Sequence, residues 1–504
     1  MRKTLWFTAL TLSLASTLQA ATPWFEQGQQ ALQQRLAQRP LELPAKNVIL
    51  FLGDGMSLAT VNAARIYEGQ LRGENGEENL LSFEKFLYSG LVKTYNTNAM
   101  VPDSAGTMSA IMTGVKTGAG ILSMSELARY GDCASGADQA LPSLLTYAES
   151  LGKRTGIVTT TRITHATPAA AYAHSVSREW EDDGELPEQA KVEGCKDIAL
   201  QLLEYSRGNG IEVLLGGGRR HFLPESENDP EYPDKKGERK DGRNLLLEWM
   251  KRHPKGEFVW DKRQFEALSA KSTHVLGLFE PSHMAYEAEK LIRNPNEPSL
   301  SEMTAKAIQL LQNRKDGFFL IVEGGRIDHA HHAGSASMAL LETIEFAKAV
   351  QTAKDLTAGH DTLIVVTADH GHTLQFSGYA RRGNPILGKV ESIEAHALEG
   401  KQEVLKDLHG LPYTVLNYMN GPGFGMVQDE PYLERKRPDL STIDTTEIGR
   451  RQESLIPLGS ETHSGEDVPV YAYGPWAHLF TGVHEQNALY HYMRHAMSYQ
   501  PPKR

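Results

Sequence analysis

The densest run of side chains able to do chemistry lies between Glu323 and His332, where a carboxylate is followed by Gly324-Gly325 and then Asp328, His329, His331 and His332. Carboxylate combined with imidazole is a donor set suited to zinc, whereas an isolated carboxylate such as Glu323 suits magnesium or calcium. If a helix begins near residue 327, Asp328 and His332 fall at i and i+4 on one face, where both reach one ion. By itself this segment also reads as a solvated, histidine-rich loop. It is not alone, however. Asp369-His370-Gly371-His372 and the segment Glu461-Thr462-His463-Ser464-Gly465-Glu466-Asp467 repeat the same chemistry further along.

A nucleophile and an anion grip are also present. Pro102 and Asp103 mark a helix start and leave Ser104 near its N-terminus, where free N–H groups and the helix dipole favour an alkoxide and a bound phosphate. Asp103 or Ser104 reads equally well as a plain N-cap. Ser104 lacks a G-x-S-x-G setting, so an α/β-hydrolase nucleophile elbow is not supported. His165 and Thr167 flank a metal site in which Thr167 offers a hydroxyl. Arg178, among acids in SVSREWEDD, reads on its own as a surface ion pair.

These residues need elements to position them. Continuous apolar runs at 47–52, 155–161, 212–218, 276–280, 318–322 and 361–368, and a late VPVYAYG, read as strands buried on both faces. Asp54, His165, Glu323 and Asp369 all follow such runs, and ligands in parallel sheets gather just past the strands' carboxyl ends. The expected fold is therefore α/β, a large central, mostly parallel sheet flanked by helices, including one over about 335–358. Residues 225–256 read as an excursion from the core, and 371–462 as an inserted subdomain. Two patterns are excluded: EVLLGGG at 212–218 has no P-loop lysine, and His484 to His491 lacks the H-E-x-x-H spacing.

With 504 residues and 40% hydrophobic content the chain can bury a full core. Its net charge of -11 argues against a nucleic-acid partner. Residues 1–20 read as a secretory signal peptide too short to span a membrane, so the mature protein is expected to be exported and soluble, in a periplasm or released. Residues 21–46 read as an amphipathic N-terminal arm, packed on the body or on a second subunit. The only two cysteines, Cys133 and Cys195, suggest one disulfide closing about sixty residues and worth roughly 4 kcal/mol, with two free thiols as the alternative.

FLGDGM at 51–56, VPDSAGT at 101–107, TTTRITHATPAAAYAH at 159–174, VEGGRIDHAHH at 322–332, VTADHGHT at 366–373 and ETHSGED at 461–467 resemble the alkaline phosphatase family, in particular its animal-type branch. The resemblance covers residues 47–504, with 371–462 similar to the crown of the animal enzymes. It implies phosphomonoester hydrolysis through a phosphoserine on Ser104, two zinc ions and one magnesium. By resemblance Asp328, His332 and His463 hold the first zinc, and Asp369, His370 and Asp54 the second. Asp54, Thr167 and Glu323 hold the magnesium. Arg178, oriented by Asp103, clamps phosphate, while His165 and His329 stand behind the metals. The resemblance further implies a Cys133–Cys195 disulfide, a homodimer, and a calcium-type site of Glu231, Phe279 (through its carbonyl), Glu280 and Glu297. A sulfatase, a phosphodiesterase and a non-catalytic exported metal-binding or adhesion module are the rival readings. Ser104 is followed by Ala-Gly-Thr rather than the x-P-x-R of a sulfatase.

Overall fold

The computed structural model describes residues 23–269, 271–293, 296–312, 315–359, 361–392, 403–423 and 437–499. The expected signal peptide and parts of the 371–462 segment lie outside the described residues. The chain forms two compact units, one ending at Pro40 and one from Leu41 onward. The first contains a single described helix, Pro23–Ala37.

The second unit is built on ten strands: β1 (Asn47–Gly53), β2 (Tyr88–Lys93), β3 (Arg154–Arg162), β4 (Val213–Gly217), β5 (Glu257–Val259), β6 (Val275–Leu278), β7 (Phe318–Gly324), β8 (Thr362–Ala368), β9 (Val468–Tyr473) and β10 (Gly482–Glu485). They lie in the order β10-β2-β9-β8-β1-β7-β3-β4-β6-β5. All pairs are parallel except those of β9, which runs antiparallel to both β2 and β8. The sequence reading stands for the central strands. The three outer strands β2, β5 and β10, part-exposed and short of apolar runs, were not expected from it.

Val48 to Leu52 of β1 and Phe318 to Val322 of β7 are entirely shielded from solvent. Each such side chain contributes about 1.5–3 kcal/mol relative to exposure. Helices cover both faces of the sheet, as a parallel sheet requires. The long helix Ala336–Leu356 packs against the helix Leu300–Leu311 and reaches β1 and β7. Phe346 on it meets Phe51 of β1 edge to face, 5.8 Å between centroids.

Parallel register is what places the site. Gly53 of β1 stands opposite Gly324 of β7 and Ala368 of β8. The residues that follow, Asp54, Asp328 and Asp369, therefore emerge on one edge. Glu323, expected to lie just before a turn, is the penultimate residue of β7 and faces Thr159 of β3. The antiparallel β9 starts at that same edge, so the segment before it delivers His463 from the opposite direction. His463-Ser464 pairs with Gly371-His372.

Beyond β8 the alternation of strands and helices ends. Leu374–Phe376, Leu416–Gly421 and Ser454–Pro457 form a three-stranded sheet, and Glu391–Ser392 pairs with Glu403–Val404. The chain is crosslinked once, Cys133 to Cys195 with 6.0 Å between Cα atoms. A small apolar cluster containing Ile121, Val176 and Trp180 surrounds this disulfide, separate from the main core.

Candidate active site and metal centres

The helix Arg326–His332 follows β7 directly and carries Asp328 and His332 one turn apart. Asp328 Oδ1 lies 3.3 Å from His332 Nε2 and 3.3 Å from His463 Nε2, and these two nitrogens are 3.1 Å apart. Each ring has its other nitrogen on a backbone carbonyl, His332 Nδ1 on Glu461 O at 2.6 Å and His463 Nδ1 on Pro102 O at 2.8 Å. Nδ1 must be the donor in both, so two Nε2 lone pairs face each other beside a carboxylate. A cation is what such a set fits, with the carbonyls fixing the tautomers.

Next to it, His370 Nε2 stands 3.1 Å from Ser104 Oγ, 3.3 Å from Asp369 Oδ2 and 3.4 Å from Asp54 Oδ1. The His370 and His463 rings stack at 3.6 Å, so the two clusters share a wall. Asp369 is aimed by the amides of Gly55 and His370, which donate to its Oδ1. Gly55 is required here. It adopts φ +68°, and a Cβ on it would lie 2.4 Å from the His372 ring.

Asp54 extends into a third group. Thr167 Oγ1 is 3.5 Å from Asp54 Oδ2, and ligand atoms of Asp54, His165 and Glu323 converge. Glu323 Oε2 accepts from Thr159 and Thr161, while its Oε1 is buried without a partner. Burial, followed by the neighbouring Asp369, Asp328 and Glu323 carboxylates, pushes Asp54 well above the usual carboxylate range. Burial likewise pushes Glu323 up to about 7, with Asp369 adding to it. Oxygen donors and uncompensated negative charge fit a hard divalent ion.

Ser104 opens the helix Ser104–Thr113, with Asp103 as its N-cap accepting from Gly106 N. The N-cap reading of this segment thus falls on Asp103, and Ser104 stands at the first helical position. Arg178 keeps a loose pair with its neighbour Glu179, 3.7 Å from its Nε, but its hydrogen-bond partners lie elsewhere. Its Nη1 donates to Asp103 Oδ2 at 3.2 Å and its Nη2 lies 3.1 Å from His165 Nε2, with the backbone held by Gly120 O. His329 stands beside His165, 5.5 Å between ring centroids.

The residues of the expected calcium-type site are near one another without converging as these groups do. Glu231 accepts from Arg219, Glu280 from the Tyr232 hydroxyl, and Glu297 from Ala285 N. Burial pushes Glu297 up to about 7 despite Lys290, with Glu280 adding to the rise, and its Oε2 has no partner. Phe279 lies between Glu280 and the end of β6.

Sequence reasoning gave no role to His372. It bridges Asp328 Oδ1 at 2.8 Å and Glu461 Oε2 at 2.5 Å. Although burial opposes its charge, Glu461 and Asp328 hold it up to about 10, so it orients Asp328 as a two-way donor. The signal was its place two residues after His370, which a ligand search treats as one more candidate.

Known proteins resemble this chain over most of its length. Residues 45–499 match the family model described as alkaline phosphatase. The tissue-nonspecific alkaline phosphatase isozyme of Gallus gallus is 46% identical, covering 94% of this chain and 88% of its own. The alkaline phosphatase of Gadus morhua is 45% identical over 94% and 96%. Among solved structures, Thermus thermophilus alkaline phosphatase superposes with a TM-score of 0.64 at 25% identity, covering 93% of this chain and 95% of its own. The enzyme from the Antarctic bacterium TAB5 does so at 0.59 and 23%, covering 91% and 99%. The chain is an enzyme of the alkaline phosphatase family.

Proposed function

We propose that this enzyme hydrolyses phosphate monoesters through a covalent phosphoserine on Ser104. The observation that carries the reading is the placement of Ser104 Oγ, on the first turn of a helix and within 3.4 Å of both His370 and Asp54. In this reading Arg178, held by Asp103, grips two oxygens of the phosphoryl group. The helix N-terminus adds its free amides. Ser104 gives up its proton, bonds to phosphorus and displaces the alcohol. Water then attacks the phosphoserine and restores Ser104 with release of inorganic phosphate.

Asp328, His332 and His463 would hold one zinc, Asp54, Asp369 and His370 the other, and Asp54, Thr167 and Glu323 a magnesium. When bound, such ions stabilise the entering and leaving oxygens of an in-line displacement. Glu231, Phe279 through its carbonyl, Glu280 and Glu297 are proposed for a calcium ion, a reading supported by the buried, unpartnered Glu297 oxygen.

The proposal extends to the whole protein. Residues 1–20 serve as an export signal, 21–46 as an arm, and 47–504 as the catalytic domain with 371–462 as its crown. The working form is an exported homodimer. Among the described residues no helix is long and apolar enough to cross a membrane. Hydrolysis of para-nitrophenyl phosphate by the zinc- and magnesium-loaded protein, lost in Ser104→Ala, supports the reading. Activity that survives the substitution moves the attack from Ser104 to water.

A further inference from the structure

The loop that follows β6 brings a third imidazole, His283, to the pair His165 and His329. Its backbone is fixed by Met284 N donating to Thr160 O at 3.1 Å and Phe279 N donating to Gly216 O at 2.8 Å. The His283 ring lies 4.2 Å from His329 and 5.4 Å from His165, closing a triangle of rings. Its Nδ1 accepts the Arg162 amide at 3.3 Å, and its Nε2 rests against the Arg162 guanidinium. Arg162 is itself immobilised. Its guanidinium grips the buried Glu181, which also takes the Thr164 hydroxyl at 2.5 Å and lies 3.3 Å from His221 Nε2.

The arrangement matters because of how His165 is held. His165 Nε2 faces Arg178 Nη2, the guanidinium edge turned toward the phosphate position, while its Nδ1 is buried with no hydrogen-bond partner. Hydrogen bonds therefore fix one end of the His165 ring, and its tilt is set by the two rings packed edge to face with it. Those rings are His283, held by Arg162, which is itself paired with Glu181, and His329, whose Nδ1 lies 3.1 Å from Arg326 Nη1. If the tilt changes, Arg178 keeps Asp103 on Nη1 but loses its contact on Nη2.

We propose that His283 is a positioning residue for phosphate binding: its ring, locked by Arg162, sets the angle of His165 and through it the Arg178 guanidinium. This rests on the phosphomonoesterase reading above. The role needs the flat ring and also the nitrogens that Arg162 holds, so a branched aliphatic should fail and a flat ring without nitrogen should serve only in part.

The test uses the metal-loaded enzyme, with inorganic phosphate as the probe, measured by competitive inhibition of para-nitrophenyl phosphate turnover. His283→Ala and His283→Leu are expected to raise the inhibition constant for phosphate about tenfold, the scale of a misplaced positioning group. His283→Phe, which keeps the flat ring but not the nitrogens on Arg162, is expected to fall between the parent and His283→Leu, at about threefold. Leu keeps the volume and so guards against a simple folding failure. In an Arg178→Ala background the same substitutions should add nothing, because the route through Arg178 is gone. An equal effect in that background, or no change in phosphate inhibition while melting temperature falls, would overturn the inference. A metal-loaded parent that neither turns over the ester nor binds phosphate would instead sink the phosphomonoesterase reading, and this inference with it.

Discussion

Around Arg219 and Arg239 buried charge meets its opposite inside the chain, whereas at the carboxyl edge of the sheet buried acids face one another. Arg219, with no exposed surface, is held by both Asp229 oxygens at 2.9 Å, by Glu231 at 2.8 Å and by Leu278 O at 2.7 Å. Arg239 is matched in the same way by Asp197 and Asp241. At the sheet edge Asp54, Asp369 and Glu323 lie close together, and each is pushed upward by burial and by its neighbours. The first region is balanced within the polypeptide, Glu231 alone being shared with the proposed calcium site. The second is complete only with cations, which ties its charge balance to metal supply.

The contrast breaks if neutralising one acid has the same sign in both states of the metal edge. Asp54→Asn in the loaded enzyme should cut kcat/KM by about 10³-fold or more, since it removes a group shared by two proposed ions. In chelator-stripped protein the same change should stabilise by about 2 kcal/mol at pH 8, read from denaturant unfolding. The sign follows from the raised Asp54 value. The folded state prefers the neutral acid, so stability present below the ordinary carboxylate range is lost as pH rises through the folded value. Asparagine carries no such loss. Destabilisation of the stripped protein would contradict the account.

Arg239→Met sharpens the other side. It strands Asp197 and Asp241 and should cost about 3–5 kcal/mol, by equal amounts with and without chelator. A cost that disappears on metal removal would mean the two regions are coupled.

Glu149 gives the smallest effect. It is buried near Glu212, at the edge of the sheet opposite the site, and its Oε1 accepts from Thr155. Burial pushes it up to about 7 although the Thr155 hydrogen bond opposes the rise, and Glu212 adds to it. Its contribution is intact below the unfolded carboxylate value and lost as pH climbs through 7. Glu149→Gln should therefore gain about 1 kcal/mol at pH 9 and nothing at pH 4, measured by thermal unfolding at the two pH values.

How much of this the sequence alone reveals depends on where each residue's partner lies. The apolar runs of β1, β7 and β8 are readable because burial on both faces writes itself into consecutive residues. Asp328 and His332 are readable because their spacing is one helical turn. The single Cys133–Cys195 bridge is readable from a count of two. Arg178 is different, because the local acid Glu179 makes only a loose pair at 3.7 Å while the acid it hydrogen-bonds, Asp103, is 75 residues away. His372 and His283 show the same limit more strongly. Their roles come from Glu461 and from Arg162 and His165, contacts made by strand order and invisible to spacing. The outer strands β2, β5 and β10 escape because part-exposed edges lack the apolar continuity of the centre.

The central claim is that Ser104 becomes covalently phosphorylated, and it can be examined directly. Metal-loaded enzyme is mixed with a phosphomonoester, quenched in acid within a turnover, digested, and the peptide bearing Ser104 weighed by mass spectrometry. The account predicts a phosphate on Ser104 in the parent and none in Ser104→Ala, which should also lose turnover. A parent that turns over the ester while Ser104 stays unmodified at every quench time, matched by an active Ser104→Ala, would contradict it.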